Sequence, residues 1–124
     1  MTVKPGADIS NLHPDIVAAL KQLDLMWQAF FPEDKDGMTV TSGHEGVPGL
    51  PDSVHGPTSK HYIVNNKSGK GEAVDIRLND VTSRKGTVFC GWVGLALPFV
   101  IPTVKYDVFA EKILTQSAHL HLEL

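Results

Sequence analysis

The last six residues constrain this chain most: His119-Leu120-His121-Leu122-Glu123-Leu124 alternates polar residues with leucine without a break. Successive side chains of a strand point to opposite faces. Three leucines therefore form one face, which requires a core behind it, and His119, His121 and Glu123 form the other. A face of two imidazoles and a carboxylate suits a cation, because imidazole is the commonest metal ligand. One cysteine excludes an intrachain disulfide framework and a cysteine-only zinc cage. Any metal must then be held by His, Asp or Glu.

A length of 124 residues fits a single domain with a real core. An apolar fraction of 42% with 20% charged residues reads as folded rather than disordered. A net charge of −3 makes no electrostatic case for nucleic acid as a partner. Met1 to Asn11 lacks the basic start, apolar core and cleavage site of a secretory signal. Gly86 to Val104 carries no charge and reaches transmembrane length. Pro98 and Pro102 break a single long helix there, and Gly86, Gly91 and Gly94 weaken it. The expectation is a buried helix near Val88 to Leu97, then a loop into a strand, with no membrane span.

Met1 to Leu12 reads as a loose lead-in, and 13–124 as the domain. Pro14 suits a first helical turn. Ile16, Val17, Leu20, Leu23, Leu25, Met26, Phe30 and Phe31 recur at helical spacing, and Pro32 ends the helix near Phe31. Asp36-Gly37 signals a turn, and Met38 to Thr41 a short strand. Ser42 to Ser59 holds Pro48, Pro51 and Pro57 with no apolar period, so it is loop. A loop of that length in a small domain is usually functional. Asn65 to Gly71 is a second loop. Ala73 to Leu78, Lys105 to Ala110 and His119 to Leu124 read as strands, the last two as antiparallel neighbours. The fold class is α+β: one small domain with a long N-terminal helix and an antiparallel sheet of about four strands.

In Ala73-Val74-Asp75-Ile76, the valine and isoleucine face the core and Asp75 points away. An Asp in an apolar strand is costly unless it is paired or binds a metal. Together, His61, Asp75 and His121 make a His-Asp-His set. Three protein ligands with one position left for water is the catalytic zinc arrangement. Cys90 sits in the apolar stretch and reads as core.

Five segments stand in the order of a known group: Thr39-Val40-Thr41-Ser42-Gly43, Ser59-Lys60-His61-Tyr62, Gly71-Glu72-Ala73-Val74-Asp75-Ile76, Tyr106-Asp107-Val108 and His119-Leu120-His121-Leu122-Glu123. In these the chain resembles the lysostaphin/D-Ala-D-Ala carboxypeptidase/hedgehog zinc-peptidase superfamily. The closer likeness is to the peptidase M15-like group that includes many phage endolysins. The resemblance runs from about Thr39 to Leu124. It implies a hedgehog/DD-peptidase-like fold and a zinc ion held by His61, Asp75 and His121. It selects His121 over His119, because an apolar residue and a Glu follow the family's last ligand, as at Leu122-Glu123. His119 and His55 then match further site histidines of the hedgehog-like branch. His13 and His44 have no assigned role.

Two departures from the pattern matter. His61 and Asp75 lie fourteen residues apart, about twice the usual gap, so Ile63 to Lys70 reads as an inserted loop, which chains tolerate cheaply. Glu72 also stands where the motif often has Arg. Second, Ala118 occupies the place of the usual general-base Glu, and Thr115 and Gln116 hold the alternative places. Glu111, the nearest upstream carboxylate, and His119 are the candidate bases.

The resemblance implies a zinc metallopeptidase that hydrolyses peptidoglycan stem or cross-bridge peptides, of carboxypeptidase or endopeptidase type. A phage or prophage cell-wall hydrolase is expected, monomeric, made in a bacterial cytoplasm and released to the wall or carried on a virion. The alternative is a non-catalytic relative that keeps the zinc site as a binding module.

Overall fold

A computed structural model describes residues 1–47, 55–78, 83–109 and 119–124. Glu111, Thr115, Gln116 and Ala118, with the base question they raise, lie outside these residues.

Helix α1 spans Pro14–Phe30. His13 caps it: its Nδ1 accepts a hydrogen bond from the Asp15 backbone N–H at 3.2 Å, satisfying one donor that the first turn leaves open. The helix ends before Pro32, with Phe31 as C-cap. Its buried face is Ile16, Ala19, Leu20, Leu23, Met26 and Trp27. Trp27 packs on Phe31 and edge-on to Phe89 of the second helix, with ring centroids 4.7 and 5.2 Å away.

That second helix, α2, spans Ser83–Val100. It begins earlier and runs longer than the apolar stretch predicts, and it continues past Pro98. A proline removes one backbone donor, and here only the last turn lies beyond it. Gly94 lets α2 approach the sheet, since a Cβ there would overlap the Tyr106 hydroxyl.

The strands are β1 (Thr2–Val3), β2 (Thr39–Ser42), β3 (Ala73–Arg77), β4 (Lys105–Phe109) and β5 (His119–Glu123). They form one sheet in the order β1-β2-β3-β5-β4. β1 pairs parallel with β2, and the other pairings are antiparallel. The expected four-strand antiparallel sheet is therefore a five-strand mixed one. The segment expected to be a loose lead-in supplies the extra strand. Lys4 extends the pairing through its N–H to the Val40 carbonyl at 2.9 Å, and Leu12 is buried.

The helices cover one face of the sheet. Val74, Ile76, Leu120 and Leu122 join Leu23, Trp27, Phe89, Val93 and Leu97 in a single core. Full burial of one such side chain contributes about 1.5–3 kcal/mol. The alternate residues Asp75, His119, His121 and Glu123 are thereby fixed on the opposite face. Among the described residues, no helix is long and apolar enough to cross a membrane.

Candidate metal centre

Register builds the centre. Asp75 is paired with His121 and Arg77 with His119 across β3 and β5. Asp107 on β4 is opposite His121 on its other side. Between β2 and β3 the register shifts: Val40 faces Ile76, but Ser42 faces Asp75. Regular pairing would set Thr41 opposite Asp75, so β2 holds one extra residue. Such bulges re-aim side chains beside functional sites, and this one sets Ser42 next to the polar face. Ser42, Asp75, His121 and Asp107 thus form one row across four strands.

The loops supply the remaining groups. Glu45 and Tyr62 bridge two loop segments in parallel fashion, with the Glu45 N–H on the His61 carbonyl at 2.7 Å. The Tyr62 hydroxyl donates to the His55 carbonyl at 3.0 Å. His61 and His55 are held over the sheet with their rings stacked, centroids 3.8 Å apart and planes 19° from parallel.

Three imidazoles converge on one carboxylate. His55 Nε2 lies 3.1 Å and His61 Nε2 3.4 Å from Asp75 Oδ2. His121 Nδ1 lies 2.7 Å from Oδ1, with His119 Nε2 at 4.0 Å from the same oxygen. Each of the first three rings has its other nitrogen tied to an acceptor behind it. His61 Nδ1 donates to the Gly43 carbonyl at 2.7 Å. His55 Nδ1 donates to Glu45 Oε1 at 2.8 Å, and His121 Nε2 to Glu123 Oε2 at 3.3 Å. An outer acceptor that fixes tautomer and ring orientation is the usual support of a metal-binding histidine.

Protonation follows from this arrangement. Burial works against the charge of Asp75, but the imidazoles of His121, His55 and His61 outweigh it and hold the carboxyl far below the ordinary range. Burial also disfavours the imidazolium of His55, yet Asp75 and Glu45 raise its pKa. His121 is raised in the same way by Asp75 and Glu123. With its outer nitrogen donating, a neutral ring turns a lone pair toward Asp75. A lone pair facing a carboxylate oxygen at 2.7 Å requires a proton or a cation between them.

His61 tests the fit to a metal most sharply. It is fully buried, and among the described residues its Nε2 has no hydrogen-bond partner. An unsatisfied buried nitrogen costs about 1–3 kcal/mol. A zinc ion would satisfy it, and His55 and Asp75 each offer a donor atom in the same cluster as His61, the three atoms within 4.8 Å of one another. The donor chemistry, two imidazoles and a carboxylate, suits zinc.

All five expected residues of the described chain, His61, Asp75, His121, His119 and His55, therefore gather around one carboxylate, although the tight donor cluster is His55, His61 and Asp75, without His121. His55 is drawn further in than expected, into the tight cluster with His61 and Asp75. Of the two histidines without a role, His13 caps α1. His44 pairs with Asp8 through Nε2 at 3.1 Å. Sequence reasoning missed Glu45 and the Gly43 carbonyl. A carboxylate in a glycine- and proline-rich loop carries no periodic signal, and a carbonyl carries none at all. No family model, curated protein or solved structure matches this chain.

Proposed function

We propose that this chain is a zinc-dependent metallopeptidase that hydrolyses peptidoglycan stem or cross-bridge peptides, with His61, Asp75 and His121 as zinc ligands. The observation that carries the reading is the buried His61 Nε2, oriented by Gly43 toward Asp75 3.4 Å away but without a hydrogen bond among the described residues. The substrate class rests on the resemblance of the five segments to the zinc-peptidase superfamily.

Zinc bound there supplies Lewis acidity, activating water at neutral pH and polarising a peptide carbonyl. The protein's own groups do the rest. Asp75 contributes a full negative charge and Gly43, Glu45 and Glu123 hold three rings in place. In this scheme His55, as the imidazolium that Asp75 and Glu45 favour, and His119 would donate hydrogen bonds to the oxygen on which charge develops. Glu111 takes the proton in this scheme, and acid–base help of that kind contributes about 10² to 10⁴ in rate.

A second reading, a zinc-holding module without activity, is favoured by one observation: His55 lies with His61 and Asp75 in the tight cluster. With His121 as well, four protein ligands would close the site, as in structural zinc centres. Zymography on purified cell wall, with and without a chelator, separates the two. Chelator-sensitive clearing supports the enzyme. Bound zinc without clearing supports the module.

A further inference from the structure

Helix α2 carries two apolar stripes. Phe89, Val93 and Leu97 face the core and are fully buried. Val88, Trp92, Leu95 and Phe99 recur at helical spacing on the other side, 56, 40, 72 and 90% exposed, with Val100 at 55%. From Gly86 to Val104 there is no charged residue. A helix that is apolar all round belongs in an interior, yet half of this one faces outward.

We propose that the outer face of α2 is the interface of a homodimer, two copies packing this stripe against itself about a two-fold axis. An isologous interface must complement itself, and an uncharged apolar stripe does so with no like-charge repulsion. The exposed parts of these five side chains amount to roughly 500 Å² per copy, the two aromatics counting about 150–250 Å² each when whole and the three aliphatics less. Two copies would bury roughly 1,000 Å², the threshold for a weak specific interface. Gly91 lies on this side of α2, and a Cβ added there meets nothing within 4 Å, so a second helix can come close.

A lipid surface fits less well. Lys85, at the start of the stripe, is engaged by Glu33 at 2.8 Å and lies over the Phe31 ring, so its charge is already matched. Trp92 sits within the stripe rather than at a rim where an interfacial tryptophan belongs. Pairing through α2 also leaves the polar sheet face of each copy open, because α2 packs on the opposite face. The inference holds whether or not the metal centre is catalytic.

Sedimentation equilibrium from about 1 to 500 µM tests it, that range bracketing a micromolar association. The expected mass rises from the 13.5 kDa monomer toward twice that value. Leu95→Glu with Phe99→Glu should weaken association at least tenfold, and Leu95→Lys alone should weaken it measurably. Both variants should retain the wild-type circular dichroism spectrum, since the replaced side chains are exposed. A monomer at all concentrations overturns the proposal. So does a dimer that persists in both folded variants, or a monomer that binds neutral or anionic phospholipid vesicles.

Discussion

His61 Nδ1 lies 2.7 Å from the carbonyl oxygen of Gly43, and that bond decides which nitrogen of the ring faces Asp75. Gly43 is fixed in turn by Asp8. His44 N–H donates to the Asp8 carbonyl at 2.8 Å, and a Cβ on Gly43 would overlap that carbonyl. Gly43→Ala must therefore displace the segment that orients His61. Zinc affinity should fall about tenfold or more, as when outer-shell support is lost, although residue 43 offers no ligand. Competition with a chromogenic chelator measures it.

The supporting carboxylates should separate by role. Glu123→Gln weakens the acceptor behind a proposed ligand, His121, and should cut zinc affinity about 10- to 100-fold. Glu45→Gln supports His55, so it should leave zinc affinity nearly unchanged and slow cell-wall clearing. His55→Ala sharpens the comparison. Retained zinc with reduced clearing follows from three ligands and an open position; lost zinc follows from the closed, four-ligand module.

The metal-free protein should lose stability as pH rises above the ordinary histidine value of about 6.5. His55 and His121 have raised pKa values in the folded state. Their contribution is fully present below the unfolded value of about 6.5 and is lost as pH rises through the folded values. Asp75 is depressed, so its contribution is present above about 4 and is lost only far into acid. Zinc reverses the trend at neutral pH, because it competes with protons for the same nitrogens. Thermal melts at several pH values, with and without zinc, should show a zinc-induced rise in Tm that grows with pH.

Two glycines of α2 should respond with opposite signs. Gly94→Ala meets the Tyr106 hydroxyl and should destabilise by about 1–3 kcal/mol. Gly91→Ala meets nothing and should stabilise by about 0.5–1 kcal/mol through helix propensity. Urea unfolding at low micromolar protein concentration reads both.

Period-two alternation makes β3 and β5 legible in the sequence, and with them the face that carries Asp75, His119 and His121. Helix α1 was equally plain, because its apolar positions repeat over four turns and Pro14 and Pro32 bracket it. β1 was not, since two residues carry no period and their pairing with β2 depends on distant chain. The start of α2 was hidden by the polar run Ser83-Arg84-Lys85-Gly86-Thr87. Around the metal centre, residue types with strong chemical signatures stood out, whereas Glu45 and the Gly43 carbonyl gain their roles only through loop packing. The β2 bulge that sets Ser42 beside Asp75 was likewise invisible, because register shifts leave no trace in composition.

The central claim is that His61, Asp75 and His121 hold zinc. Elemental analysis of the purified protein, beside His61→Ala and His121→Ala, tests it most directly. About one zinc per chain is expected in the wild type, with the metal lost in both variants. Less than about half an equivalent in the wild type, or undiminished zinc in His121→Ala, would contradict it.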